Sequence, residues 1–147
     1  MKKLAALAVA LAFNANAENF ALQNVSIRGY VGTGDNVVIL GFIVPDCYES
    51  LAVVIQGRGP SLAAAGVVGA LSDPVLTVVE QATGRVIDTN DSWQNPERIE
   101  ALTHRGVNLD PREAATVLSL KPGAYTAILS GANGSVGVGI VELSGGF

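Results

Sequence analysis

Apolar residues fall in short runs along the chain, separated by polar and turn-forming residues. "ENFALQNVSIRGYV" is a long extended stretch in which Phe20 and Leu22 point to one face and, after a register change, Val25 and Ile27 to the other, the alternating apolar residues of a strand. Comparable runs rich in Val, Ile and Leu predict strands over residues 20–30, 36–44, 50–56, 75–81, 85–89, 114–120, 123–130 and 135–143. Between them lie "GTGDN", "ATG", "KPG" and "GANG". These supply the positive backbone angles and preset proline geometry of tight reversals. Connections this short leave no room for parallel crossovers, so the strands pair antiparallel. Seven or eight strands in one domain predict an all-β fold. The expected architecture is an antiparallel β-sandwich, immunoglobulin-like or jelly-roll-like, with one or two short helices.

The helices come from two segments with a different signature. "NPERIEALTHRG" places Asn95 as N-cap, Pro96 at the first helical position, and His104 and Arg105 before Gly106, each favourable in that direction. Ile99 and Leu102 give it an apolar edge to lie on the sandwich. "SLAAAG" predicts a single turn capped by Ser61 and closed by Gly66. In "LKPGAYTAILSG" the spacing of leucine, proline and Tyr125 matches a tyrosine corner, with a buried ring and a hydroxyl bonded to nearby backbone. In "SVGVGIVEL", Val136, Val138 and Ile140 alternate with Gly137 and Gly139. One face is apolar, and the other is bare backbone open to close approach.

The first residues bear on location. Lys2 and Lys3 precede an apolar run at 4–13 and "ANA" at 15–17, the layout of a secretory signal peptide over residues 1–17, too short for a permanent span. A single domain over residues 18–147 is the expected mature product, secreted to the cell surface, the medium or the periplasm. Thirteen acidic side chains then face the seven basic ones left after Lys2 and Lys3 are removed, a net charge of −6. With no basic cluster, nucleic acid is not an expected partner. No second apolar stretch predicts insertion in a membrane. Cys47 is the single cysteine. It either packs as a small apolar residue or, since "PDCYES" reads as a loop, stands ready for an intermolecular bridge.

Candidate chemistry is sparse. "DTNDSW" groups Asp88, Asn90 and Asp91, hard oxygen donors suited to calcium, with Glu100 able to approach from the helix. A dedicated calcium loop carries more carboxylates and a glycine. The competing reading is a turn whose polar side chains bond backbone amides while Trp93 covers the core edge. Ser61 lacks the second glycine of a nucleophile elbow, and His104, the single histidine, has Glu100 one helical turn away as an ordinary surface partner. One imidazole and one thiol are too few for a catalytic zinc. Stacking on glycans would rest on Tyr30 and Tyr48.

Several phrases occur together and in order: "GFIVPD", "GPSLAAAGVVGALSDPVLTVVE", "TNDSW", "LKPGAYTAILSG" and "GVGIVEL". On these motifs the chain resembles a β-rich module family of secreted and surface proteins in environmental bacteria, over about residues 22–143. The resemblance implies an extracellular β-sandwich and transfers no catalytic or binding residue. The family places an arginine shortly before Gly-Pro-Ser-Leu, where this chain has Gln56, with Arg58 two residues later.

The expected function is therefore non-catalytic: a structural or interaction subunit of an extracellular or cell-surface assembly, such as a filament, whose partner is itself or another surface protein. Phe20, Leu22, Val25 and Ile27 form the candidate assembly strand, able to pair in its own sheet or to add to a neighbour's edge. A calcium- or carbohydrate-binding module is the alternative, and no other cofactor is expected.

Overall fold

The structure is a computed structural model and describes residues 24–145; Phe20 and Leu22 lie outside the described residues. The apolar runs become β1 (Val25–Val31), β2 (Val38–Val44), β3 (Leu51–Arg58), β4 (Pro74–Glu80), β5 (Val86–Asn90), β6 (Ala114–Leu120), β7 (Gly123–Gly131) and β8 (Gly137–Gly145). One sheet has the order β1-β8-β3-β6 and the other β2-β7-β4-β5. Every pairing between these strands is antiparallel. Two four-stranded sheets in this order form a jelly roll, one of the two sandwich types expected.

The turns work differently from a simple series of hairpins. Successive strands change sheet at every step except β4 to β5. "ATG" closes a hairpin within a sheet, whereas "GTGDN", "KPG" and "GANG" carry the chain across the sandwich. Stacked layers lie about 10 Å apart, a gap that a link of three to five residues spans as readily as the gap between paired strands. Turn chemistry therefore marks a reversal without naming the partner strand.

The core lies between the sheets. Val53, Ile55, Val141 and Leu143 face Leu76, Val78, Ala127 and Leu129, none of them more than 1% exposed. The bare face of β8 turns inward. A Cβ at Gly139 would stand 2.6 Å from Leu129 Cδ2, and one at Gly57 2.9 Å from Leu129 Cδ1, so Leu129 is the group that approaches the glycines. Tyr125 forms the expected corner: its hydroxyl donates to the Lys121 carbonyl at 2.8 Å, and its ring stacks on Phe42 at 5.6 Å between centroids. Burial raises the phenol pKa above its ordinary value, the Glu80 carboxylate adds to the rise, and Arg85 opposes it.

Both helices start elsewhere than expected. α2 (Ile99–His104) is regular from Ile99, with Arg98 at the N-cap position. Asn95 still organises its entry: its side chain accepts the Glu97 amide at 2.9 Å, and its carbonyl accepts Arg98 and Ile99 N–H. Pro96 belongs to that preceding turn. α1 (Pro60–Ala64) has Gly59, not Ser61, at its N-cap. The Ser61 hydroxyl is drawn away by Glu113 at 2.5 Å. α2 and its flanking loops cover the outer surface of β3 and β6, where Trp93, Leu102 and Val107 pack with Val54 and Ala115.

Candidate functional site

A jelly roll has two open sides, each bordered by one edge strand from either sheet. On the first side β5 faces β6, and the residues singled out for calcium close it. Asp88 holds the Arg98 guanidinium through two bonds of 2.6 and 2.7 Å, and Arg98 also donates to Thr116 of β6 at 3.3 Å. Asn90 accepts the Ala115 amide at 2.9 Å and donates to the Ser92 carbonyl at 2.8 Å. Its amide oxygen thus joins β5 to β6, while its NH₂ closes the turn after β5. Asp91 is exposed at the turn, and Glu100 points along α2 toward His104 at 3.7 Å. Trp93 covers the core edge, donating its indole N–H to the Asp110 carbonyl at 3.0 Å. Among the described residues no three His, Cys, Asp or Glu side chains are grouped as a metal ion would need.

Arg98→Ala should cost about 2–4 kcal/mol, because it leaves a nearly buried carboxylate without its cation. Asp91→Ala should change stability by no more than about 0.5 kcal/mol. Urea denaturation measures both, and added Ca²⁺ should leave the wild-type midpoint unmoved. A clear Ca²⁺-dependent rise would assign the loop to metal binding instead.

A second polar group carries no signature in the sequence. Glu113, fully buried, accepts the Gly59 amide at 3.0 Å, the Ser61 amide at 2.9 Å and the Ser61 hydroxyl through Oε1, while Oε2 accepts the Asp110 amide at 3.3 Å. Arg58 donates to Ser61 Oγ and to Glu142, each at 3.2 Å. These bonds tie the Gly-Pro-Ser-Leu turn to the loop before β6. Ser61 and His104 therefore have separate partners, Glu113 and Glu100, and share no hydrogen bond. Nothing near "PREAA" announces a buried acid. Arg112 beside it holds the Asp110 carboxyl below the usual carboxylate range, chiefly through side-chain hydrogen bonds.

The other side of the jelly roll, bordered by β1 and β2, has no such closure. β1 pairs with β8 in unbroken register from Val25–Leu143 to Val31–Gly137, and among the described residues its far side borders no strand. Val25 and Ile27 are each 39% exposed and Tyr30 65%, while Val31 is buried. β1 meets β2 at Gly29, where a Cβ would stand 2.8 Å from Val38 Cγ2, and Val25 and Ile27 lie on the N-terminal side of that contact. The strand thus makes a seven-residue ladder yet contributes one buried side chain. It carries no proline, no lysine and no bulge, devices that commonly blunt such an edge. The structure brings Val25 and Ile27 together on this edge. Cys47 lies apart, in the loop between β2 and β3, free and exposed, so it is not the buried small residue that a lone thiol often is.

No protein-family model matches this chain, and no curated protein matches it. Among solved structures, the pre-peptidase C-terminal domain of collagenase from Bacillus anthracis is similar, with a TM-score of 0.48 at 14% identity. The match covers 84% of this chain and 90% of that one. Among the described residues no helix is long and apolar enough to cross a membrane.

Proposed function

We propose that this protein is a non-catalytic, secreted interaction protein, a subunit of an extracellular or cell-surface assembly, and that copies associate by exchanging β1. One observation carries the reading: β1 is held by a full ladder to β8 but by a single buried side chain, Val31. Leaving the parent domain then uncovers little apolar surface. Docking on a neighbour's β8 restores the same contacts, so exchange between copies costs mainly association entropy. The hinge is the segment 32–37, where Gly34 has φ +61° and Gly32 adds a second residue without a side chain. The signal-peptide layout and the motif resemblance support an extracellular setting, and the separate pairing of Ser61 and His104 supports a role without catalysis.

The test is a covalent trap. Tyr30 and Val138 are register partners on the outer face, so Tyr30→Cys/Val138→Cys in a Cys47→Ser background can close across the β1–β8 ladder. Oxidation at high protein concentration should give disulfide-linked dimers and longer ladders, and deleting residues 18–25 should weaken them. A chain that closes only within itself at every concentration would defeat the exchange reading.

A further inference from the structure

The outward face of the β2-β7-β4-β5 sheet carries no ionisable side chain. Its inward positions include Leu40, Leu76, Val78, Ala127 and Leu129, so the residues between them point out. The register sets Ile39, Ile128, Thr77 and Thr89 in one row across all four strands. The next row holds Gly41, Thr126, Val79 and Val86, and Ile43 stands beside Ala124 past its end. Ile39, Ile43 and Val86 are 51, 73 and 55% exposed. On a chain with thirteen acidic and nine basic side chains, this is a four-strand-wide surface of aliphatic, hydroxyl and glycine positions, onto which the Gln81 amide reaches to donate to Thr126 Oγ1 at 2.8 Å.

Gly41 supplies a second, independent observation. A Cβ there would meet nothing within 4 Å, and its φ is not among the positive ones. Neither internal packing nor backbone geometry asks for glycine, which weakens a strand interior. Its effect is external: it leaves a notch in the sheet surface between Ile39 and Ile43.

We infer that this face is an interface for the same face of a second copy, the two sheets stacking with an exposed isoleucine of each seated over Gly41 of the other. A two-fold contact requires a surface complementary to itself, with each residue pair occurring twice. An uncharged surface on an acidic protein meets that requirement without like-charge repulsion at the contact, and offers nothing to a partner chosen by opposite charge. The size suits a reversible dimer. Four strands about 4.8 Å apart and about seven residues long make roughly 440 Å² of flat surface per copy. Two copies bury about 900 Å² before side-chain relief is counted, below the roughly 1,200 Å² of stable specific interfaces and in the range of weak, reversible ones. This contact leaves β1 free, so a copy can pair by its face and exchange its strand at once.

Sedimentation equilibrium of the chain from Glu18, with single-residue variants, tests the inference. The wild type should be a reversible dimer. Ile43→Lys, which sets an unpaired charge against an uncharged face, should weaken the Kd by about 10-fold or more, without lowering Tm. Gly41→Val should weaken it about 10-fold while raising Tm, since it fills the notch with a strand-favouring side chain. The dimer should survive deletion of residues 18–25, which separates it from strand exchange. A wild type that stays monomeric into the millimolar range, as it would if something other than a second copy covers this face, overturns the inference. So does a dimer that Ile43→Lys leaves unchanged. A Kd indifferent to Gly41→Val removes the notch from the contact.

Discussion

Glu113→Ala is expected to destabilise the fold by about 3–5 kcal/mol, enough to unfold much of a small domain's population. The carboxylate is fully buried and satisfies amides from Gly59, Ser61 and Asp110 as well as the Ser61 hydroxyl. Truncation leaves three amide donors without their acceptor, that of Gly59 in a fully buried bond and those of Ser61 and Asp110 in part-buried ones. Glu113→Gln keeps the shape but must point an NH₂ at one set of donors, so a smaller loss of about 1–3 kcal/mol is expected. Denaturant midpoints of the two variants decide this, and a loss under about 1 kcal/mol for Glu113→Ala would mean that the turn finds other acceptors.

Leu129→Ala should cost about 3–5 kcal/mol, for a different reason. Leu129 sits at the centre of the sandwich, and its two methyl groups lie over Gly57 and Gly139. Removing them opens a cavity between strands whose backbones are already fixed by ladders on both sides. Gly139→Ala by itself should also destabilise, by about 1–3 kcal/mol, since the added methyl would stand 2.6 Å from Leu129 Cδ2 and 3.2 Å from the Arg58 carbonyl. Combining the two should cost less than the sum, because the alanine methyl enters space that Leu129 has vacated. A double-mutant cycle by thermal or urea unfolding measures the coupling; strict additivity would show that Leu129 does not press on β8.

The strands were legible in the chain because their cause is local. In β4, "PVLTVVE" alternates Leu76 and Val78 with Val75, Thr77 and Val79, and that two-residue period survives any choice of partner. Which strand pairs with which was not legible. β1 and β8 meet through Gly29 and Gly139, and no local pattern encodes a pairing so distant in sequence. The same limit applies to polar residues. Asp88 and Asn90 carry the right atoms for a cation, yet Arg98 and the Ala115 amide reach them first once β5 and β6 come together. Glu113 carries no local mark of burial, because most of its donors arrive from a turn far upstream. For β1, the apolar positions Val25 and Ile27 were plain, but their half-exposure goes with the place of β1 at the border of its sheet, which no local pattern encodes.

Function on this account resides in surfaces that the domain leaves unfinished, above all the open edge at β1. Hydrogen exchange of the described amides, followed at low and high protein concentration, tests that claim most directly. In dilute solution the β1 amides bonded to β8 should exchange by local opening, far faster than those of β3 and β6, and they should gain protection as copies associate. Protection of β1 equal to that of the central strands, unchanged by concentration, would contradict the account.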